Sequence, residues 1–188
     1  MKKDFFKILK EEEIIVALKK IEDLPYALKC KSKIIFLLCG TILNIEEITR
    51  KIRSAGKISF LHLDMISGFD SKEVLIIDFL KENSYADGII STKPTIIKHA
   101  KKMGFLSIQR CFILDSLSLE NSKKMLKEGN PDALEILPGV MPKIIKTISE
   151  KITIPLIAGG LINDSDDITA GIASGAAAIS TTKKELWK

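Results

Sequence analysis

Short aliphatic runs that alternate with amphipathic helical patterns constrain this chain more than any other feature. Eight runs follow one another, at residues 13–18, 34–38, 58–63, 87–90, 106–113, 133–136, 155–158 and 176–179. Each is short, apolar at most positions and bounded by turn residues, which is the pattern of a strand buried on both faces of a parallel sheet. A helix could also hold the first run. Between the runs, apolar residues recur at helical spacing. Ile45, Ile48 and Ile52 lie opposite Glu46, Arg50 and Arg53, and Ile96, Ile97, Ala100 and Met103 lie opposite Lys98, Lys101 and Lys102. Ile144, Ile145 and Ile148 repeat the stripe. Ser118 is placed to cap a helix that ends near Gly129-Asn130, and Asp164 to cap one that ends at Gly175. Pro25 suits the first turn of a short helix over 22–28.

This βαβα order predicts an α/β fold, a compact (β/α)8 TIM-type barrel in one domain over residues 1–188. Such barrels usually need about 200 or more residues, so short loops and one-turn helices are required here. A doubly wound open sheet is the alternative. It carries its phosphate loop after the first strand, where Leu18-Lys19-Lys20-Ile21-Glu22 has no glycine.

Apolar residues make up 46% of the chain, enough for a real core. No stretch approaches the ~18 apolar residues that span a bilayer, and the segment from Met1 to Lys7 has no apolar signal core. The expectation is a cytoplasmic protein with no membrane partner. Cys30, Cys39 and Cys111 are far apart and odd in number, and the histidines are only His62 and His99. A disulfide framework and a metal knot are therefore not expected, and each cysteine reads as a small core residue. The net charge of +5 is compatible with an anionic ligand or attraction to RNA, although Lys-rich helical faces are usually solvated surface.

Two segments point to a phosphate. Ile154-Pro155-Leu156-Ile157-Ala158-Gly159-Gly160-Leu161-Ile162 reads as a buried strand that breaks into glycines, whose bare backbone can approach an anion closely. The last run leads into the hydroxyls of Ser180, Thr181 and Thr182. Barrels of this type commonly bind phosphate at the loops after strands seven and eight. A tight turn without a ligand is the plainer alternative for Gly159-Gly160. Polar residues also mark strand ends. His62 and Asp64, two apart, share one face of the third strand, while Arg110 and Glu135 interrupt apolar strands. Each can serve a structural salt bridge as well as a ligand. As a set they suit a small polyol, with Lys19, Lys93 and Arg110 adding positive charge near an anion. His62 alone reads as a satisfied core histidine. Pro138-Gly139 reads as a shaped loop over the barrel mouth. There is no nucleophile elbow, Walker loop or clear acid–base pair, and no lysine is singled out for Schiff-base chemistry.

Several motifs resemble the glycerol uptake operon antiterminator family. They are Asp87-Gly88-Ile89-Ile90-Ser91-Thr92-Lys93, Ile108-Gln109-Arg110, Leu114-Asp115-Ser116-Leu117-Ser118, Glu135-Ile136-Leu137-Pro138-Gly139, Ile157-Ala158-Gly159-Gly160-Leu161-Ile162 and the ending from Ser180 to Trp187. The resemblance covers essentially the whole chain. It implies a barrel descended from sugar-phosphate enzymes but without known catalysis, with no cofactor and with glycerol-3-phosphate as effector. It also implies action on leader mRNA that prevents premature transcription termination of glycerol-utilisation genes. By motif match, Gly159, Gly160, Ser180 and Thr181 would hold the phosphate, and Lys19, Asp64, Arg110 and Glu135 the glycerol end. No aromatic RNA-stacking signature or helix-turn-helix accompanies these motifs, so candidate RNA faces are Lys98-Lys101-Lys102 and Lys123-Lys124-Lys127. Self-association as a homo-oligomer is left open. The competing expectations are a barrel enzyme, an isomerase or prenyl transferase acting on a phosphorylated sugar or glycerol derivative with Asp64 and Glu135 as its best pair, and a phosphate-binding relic with structural partners.

Overall fold

The aliphatic runs become eight parallel strands because each buries both of its faces. One face packs into a closed interior and the other packs under helices. The computed structural model describes residues 2–187, so Met1 and Lys188, included in the expected domain, lie outside the described residues. The strands are β1 (Ile14–Leu18), β2 (Ile34–Leu37), β3 (Ile58–His62), β4 (Gly88–Ser91), β5 (Leu106–Phe112), β6 (Ala133–Leu137), β7 (Leu156–Gly159) and β8 (Ala178–Thr181). Each pairs with the next, and β8 returns to β1 through Ile14↔Ile179 and Ile15↔Ser180, closing the barrel. The first run is thus a strand. The helices are α1 (Lys2–Glu11), α2 (Leu24–Lys29), α3 (Ile45–Ser54), α4 (Leu75–Asn83), α5 (Pro94–Lys102), α6 (Ser116–Gly129), α7 (Pro142–Ser149) and α8 (Ser165–Ala173). No helix among the described residues is long and apolar enough to cross a membrane.

Side chains alternate along each strand. Phe36, Phe60, Ile108 and Ile157 point into the barrel, whereas Leu37, Leu61 and Ile136 join the clusters under the helices. The bottom of the barrel is closed by α1, a helix that the apolar pattern of the sequence does not mark. Phe5 and Leu9, one turn apart, are fully buried in the interior cluster. The Phe5 ring centroid lies 5.2 Å from that of Phe60, which lies 5.5 Å from that of Phe36. Among charged neighbours, these few apolar residues did not stand out as a core-forming stripe. The helix α4 was also unanticipated.

Three local expectations need correction. Asp115, not Ser118, caps α6: its carboxylate accepts from the Ser118 amide, and the Ser118 hydroxyl answers as the other half of a capping box. β7 includes Gly159, and the chain first turns at Gly160, whose φ is +77°. β8 begins two residues later than the apolar run suggested, so Ser180 and Thr181 are strand residues. Pairing with β1 sets that register, and composition alone does not reveal it.

Candidate ligand cavity at the barrel mouth

Closing the barrel in this register brings the inward residues of β5, β6 and β8 together at the C-terminal end of the strands. They border a cavity of about 280 Å³ whose wall includes Arg110, Glu135, Gly160, Ser180, Thr181 and Lys183. Concavities of about 310 and 450 Å³ lie at the opposite end, beside α1, but neither gathers inward-facing strand residues of this kind.

At the base of the mouth lies a buried polar triad. Arg110 and Glu135 are direct cross-strand partners. The Arg110 Nε donates to Glu135 Oε2 at 2.6 Å, with side chains only 7% and 1% exposed. Ser180 Oγ donates to Glu135 Oε1 at 2.7 Å. A carboxylate this buried needs such donors. Gly159 makes the arrangement possible, because a Cβ there would collide with Ser180 Oγ and come within 3.0 Å of Glu135 Oε1. The neighbouring glycine has another task. Gly160 takes the positive φ of the turn, where a Cβ would also press within 3.0 Å of Leu137 Cδ2. Its carbonyl accepts from the Gly139 amide at 3.0 Å, which fastens the Pro138-Gly139 loop to the loop after β7.

The loop after β8 is held equally firmly. Thr181 Oγ1 accepts from the Lys183 amide at 3.1 Å, and Thr181 O accepts from the Nε1 of buried Trp187 at 2.9 Å. The N-terminus of α8 is already occupied, since the Asp164 side chain accepts from the amides of Asp166 and Asp167. The cavity wall therefore offers the Gly160 turn and the Thr181–Lys183 segment, while the amides at that helix end are already taken.

Five of the eight residues expected at the site border the cavity: Gly160, Ser180, Thr181, Arg110 and Glu135. Gly159 lies directly behind Ser180 and Glu135. Lys19 is exposed and does not border the cavity. Asp64 does not border it either. It follows β3 in a short 3-10 turn, Leu63–Met65, where its Oδ1 accepts from Lys93 Nζ at 2.6 Å. Partial burial pushes its carboxyl up, but hydrogen bonds from Lys93 and Ser71 outweigh that and hold it below the ordinary range. Lys183 and Asn163 also border the cavity and were not singled out beforehand. For Lys183 the available signal was its place just after the Thr181-Thr182 hydroxyls.

His62 departs from expectation. It is 3% exposed, as a core histidine should be, but neither ring nitrogen has a hydrogen-bond partner. Its Nδ1 lies 4.0 Å from Asp64 Oδ2, beyond hydrogen-bond reach. Burial, reinforced by the nearby Arg110 charge and opposed by Glu135 and Asp64, brings its pKa down to about 4. The ring is therefore neutral at physiological pH. The thiols are unsuited to nucleophilic work. Burial raises Cys111 to about 12, and burial with Glu22 and Asp23 raises Cys39 to about 11. Four large apolar side chains, Leu43, Leu114, Leu117 and Leu161, stand largely exposed in or beside the connections that leave the strands.

Comparison with known proteins agrees with this architecture. The sequence profile of the glycerol-3-phosphate responsive antiterminator family matches residues 14–187. The Escherichia coli (strain K12) "Uncharacterized protein YgcP" is 44% identical over 96% of this chain and 94% of its own. The crystal structure of the glycerol uptake operon antiterminator regulatory protein from Listeria monocytogenes str. 4b F2365 is similar at a TM-score of 0.89, with 34% identity over 93% of this chain and 94% of that one. A glycerol uptake operon antiterminator-related protein from Thermotoga maritima MSB8 gives 0.81, with 30% identity over 94% and 98%. The chain belongs to the glycerol-3-phosphate responsive antiterminator family.

Proposed function

We propose that this protein is a glycerol-3-phosphate sensor that binds leader mRNA and prevents premature transcription termination of glycerol-utilisation genes. Family membership carries the reading, and a cavity of about 280 Å³ at the barrel mouth, into whose wall Arg110, Glu135, Ser180, Thr181 and Lys183 are set, supports it. In this reading the phosphate lies against the Gly160 turn, with Gly159 behind it, and the Ser180–Thr181 strand end, with Lys183 adding charge. The glycerol end faces Arg110 and Glu135, with Asp64 and Lys19 further out. Glu135 already accepts two hydrogen bonds, from Arg110 and Ser180. That suits it to shape a ligand site more than to carry a proton through a reaction. The site needs no cofactor, and the reading has the protein work in the cytoplasm.

Calorimetry with glycerol-3-phosphate, followed by leader-RNA binding with and without it, tests the proposal. Heat of binding and an RNA response to the ligand are expected. Thr181→Ala, which removes a cavity hydroxyl that the fold uses as an acceptor, should lower glycerol-3-phosphate affinity about tenfold, the value of one hydrogen bond to a charged group. No heat with the native protein would sink the reading, and turnover of the ligand would favour a barrel enzyme instead.

A further inference from the structure

Among the described residues, four buried side-chain polar atoms lack a hydrogen-bond partner: Ser59 Oγ, Gln109 Oε1 and the two ring nitrogens of His62. Ser59 and Gln109 alternate with inward residues and so face the helices, and Gln109 uses its amide nitrogen on Ser91 O and Arg110 O. His62 is different. It lies two residues beyond the inward-facing Phe60, so its ring points into the barrel on the mouth side. Both of its hydrogen-bonding ends are unused. The charged groups that act on it are Arg110, Glu135 and Asp64, of which the first two border the cavity.

Asp64 is unevenly satisfied. Its Oδ1 is taken by Lys93 Nζ at 2.6 Å and Ser71 also acts on the carboxylate, while its Oδ2 makes long contacts, 3.4 Å each, with the amide and hydroxyl of Thr92. The gap between Oδ2 and His62 Nδ1 is 4.0 Å. That is too long for a direct hydrogen bond and within the span of one bridging hydroxyl oxygen, which the ring must turn toward the cavity to meet, since its nitrogens have almost no exposed surface and neither residue borders the cavity. Such a hydroxyl would accept from the imidazole N–H and donate to the carboxylate. We propose that His62 and Asp64 form a hydroxyl-reading subsite for the bound phosphorylated polyol, with His62 as its specificity-determining residue. The proposal rests on the ligand reading above and deepens it. A neutral imidazole both donates and accepts, as a hydroxyl does, whereas a lysine or arginine could only donate. Retaining a buried ring with two unused nitrogens is costly to the fold, and a ligand hydroxyl supplies the partner that the chain itself does not.

The experiment is calorimetry on the native protein, His62→Leu and His62→Gln, with glycerol-3-phosphate and with inorganic phosphate, alongside thermal melts. His62→Leu should bind glycerol-3-phosphate at least about tenfold more weakly, while its phosphate affinity stays within about twofold of native. Its Tm should not fall, because an apolar side chain of similar size replaces an unsatisfied one. His62→Gln, which keeps a donor and an acceptor, should recover most of the glycerol-3-phosphate affinity. If His62→Leu bound glycerol-3-phosphate as tightly as native, or lost both ligands equally, the subsite would be refuted and His62 would be a core residue only. If the native protein gave no heat with glycerol-3-phosphate, the ligand reading itself would fail and the subsite with it.

Discussion

Glu135 uses both carboxylate oxygens inside the barrel, one on Arg110 and one on Ser180. Removing one member of such a pair strands the other. Arg110→Leu should therefore cost about 3–5 kcal/mol of stability in denaturant titrations. Arg110→Leu combined with Glu135→Leu should regain most of that loss, because no buried charge is left alone, while ligand binding stays abolished. His62 adds a pH signature. Its pKa is 6.5 in the unfolded chain and about 4 in the fold, so between those values the unfolded chain takes up a proton that the folded chain refuses. The corresponding stability is complete above about pH 6.5 and is lost as pH falls toward 4. It amounts to something on the order of 3 kcal/mol. Denaturant midpoints measured across that window should flatten in His62→Leu, and an unchanged slope would exclude the ring as their source. The buried charges were legible in the sequence, since Arg110 and Glu135 interrupt apolar runs. Their pairing was one of two readings, and the missing partners of His62 depend on strands far away in sequence.

At the scale of elements, the eight strands were legible because a strand buried on both faces must be nearly all apolar. Their ends were not. The alanines before β8 look like strand but lie outside it, because hydrogen bonding to β1 determines where pairing starts. Asp115 and Ser118 both have capping side chains, and only the backbone decides which is the cap. α1 went unread for a different reason. Its value lies in two side chains that fit one particular hole, and periodicity over so short and charged a segment carries little weight. That hole makes a prediction. Phe5→Ala should cost about 3–5 kcal/mol in denaturant titrations, since the ring fills the barrel floor against Phe60. Glycerol-3-phosphate affinity should be unchanged, because the cavity lies at the other end. A loss of binding without a loss of stability would contradict this division of labour between floor and mouth.

Over the whole molecule the charge is unevenly divided. Residues 93–151 contain eleven Lys and Arg against six Asp and Glu, and the rest of the chain contains eighteen of each, so the entire net charge of +5 lies in that third. Apart from the buried Arg110–Glu135 pair, most of these lysines lie on α5, α6 and α7, the consecutive helices on one side of the barrel. Two of those helices continue from the strands that carry the buried pair, α6 after β5 and α7 after β6. A ligand that pulls on Arg110 or Glu135 therefore acts at the roots of the basic side. Within it, Lys101 is held by Asn130 O and Asp132, and Lys123 by Glu120. Lys98, Lys102, Lys124 and Lys127 are exposed and form no ion pair among the described residues, which leaves them available to a polyanion. Changing these four to Glu should weaken leader-RNA binding by more than about tenfold at low salt. If each lysine neutralises one phosphate of a single strand, the dependence of log affinity on log salt should become shallower by about 3. Glycerol-3-phosphate affinity should stay at the native value, because none of the four borders the cavity. Intact RNA binding in this variant would move the RNA surface elsewhere on the barrel while leaving the sensor reading in place.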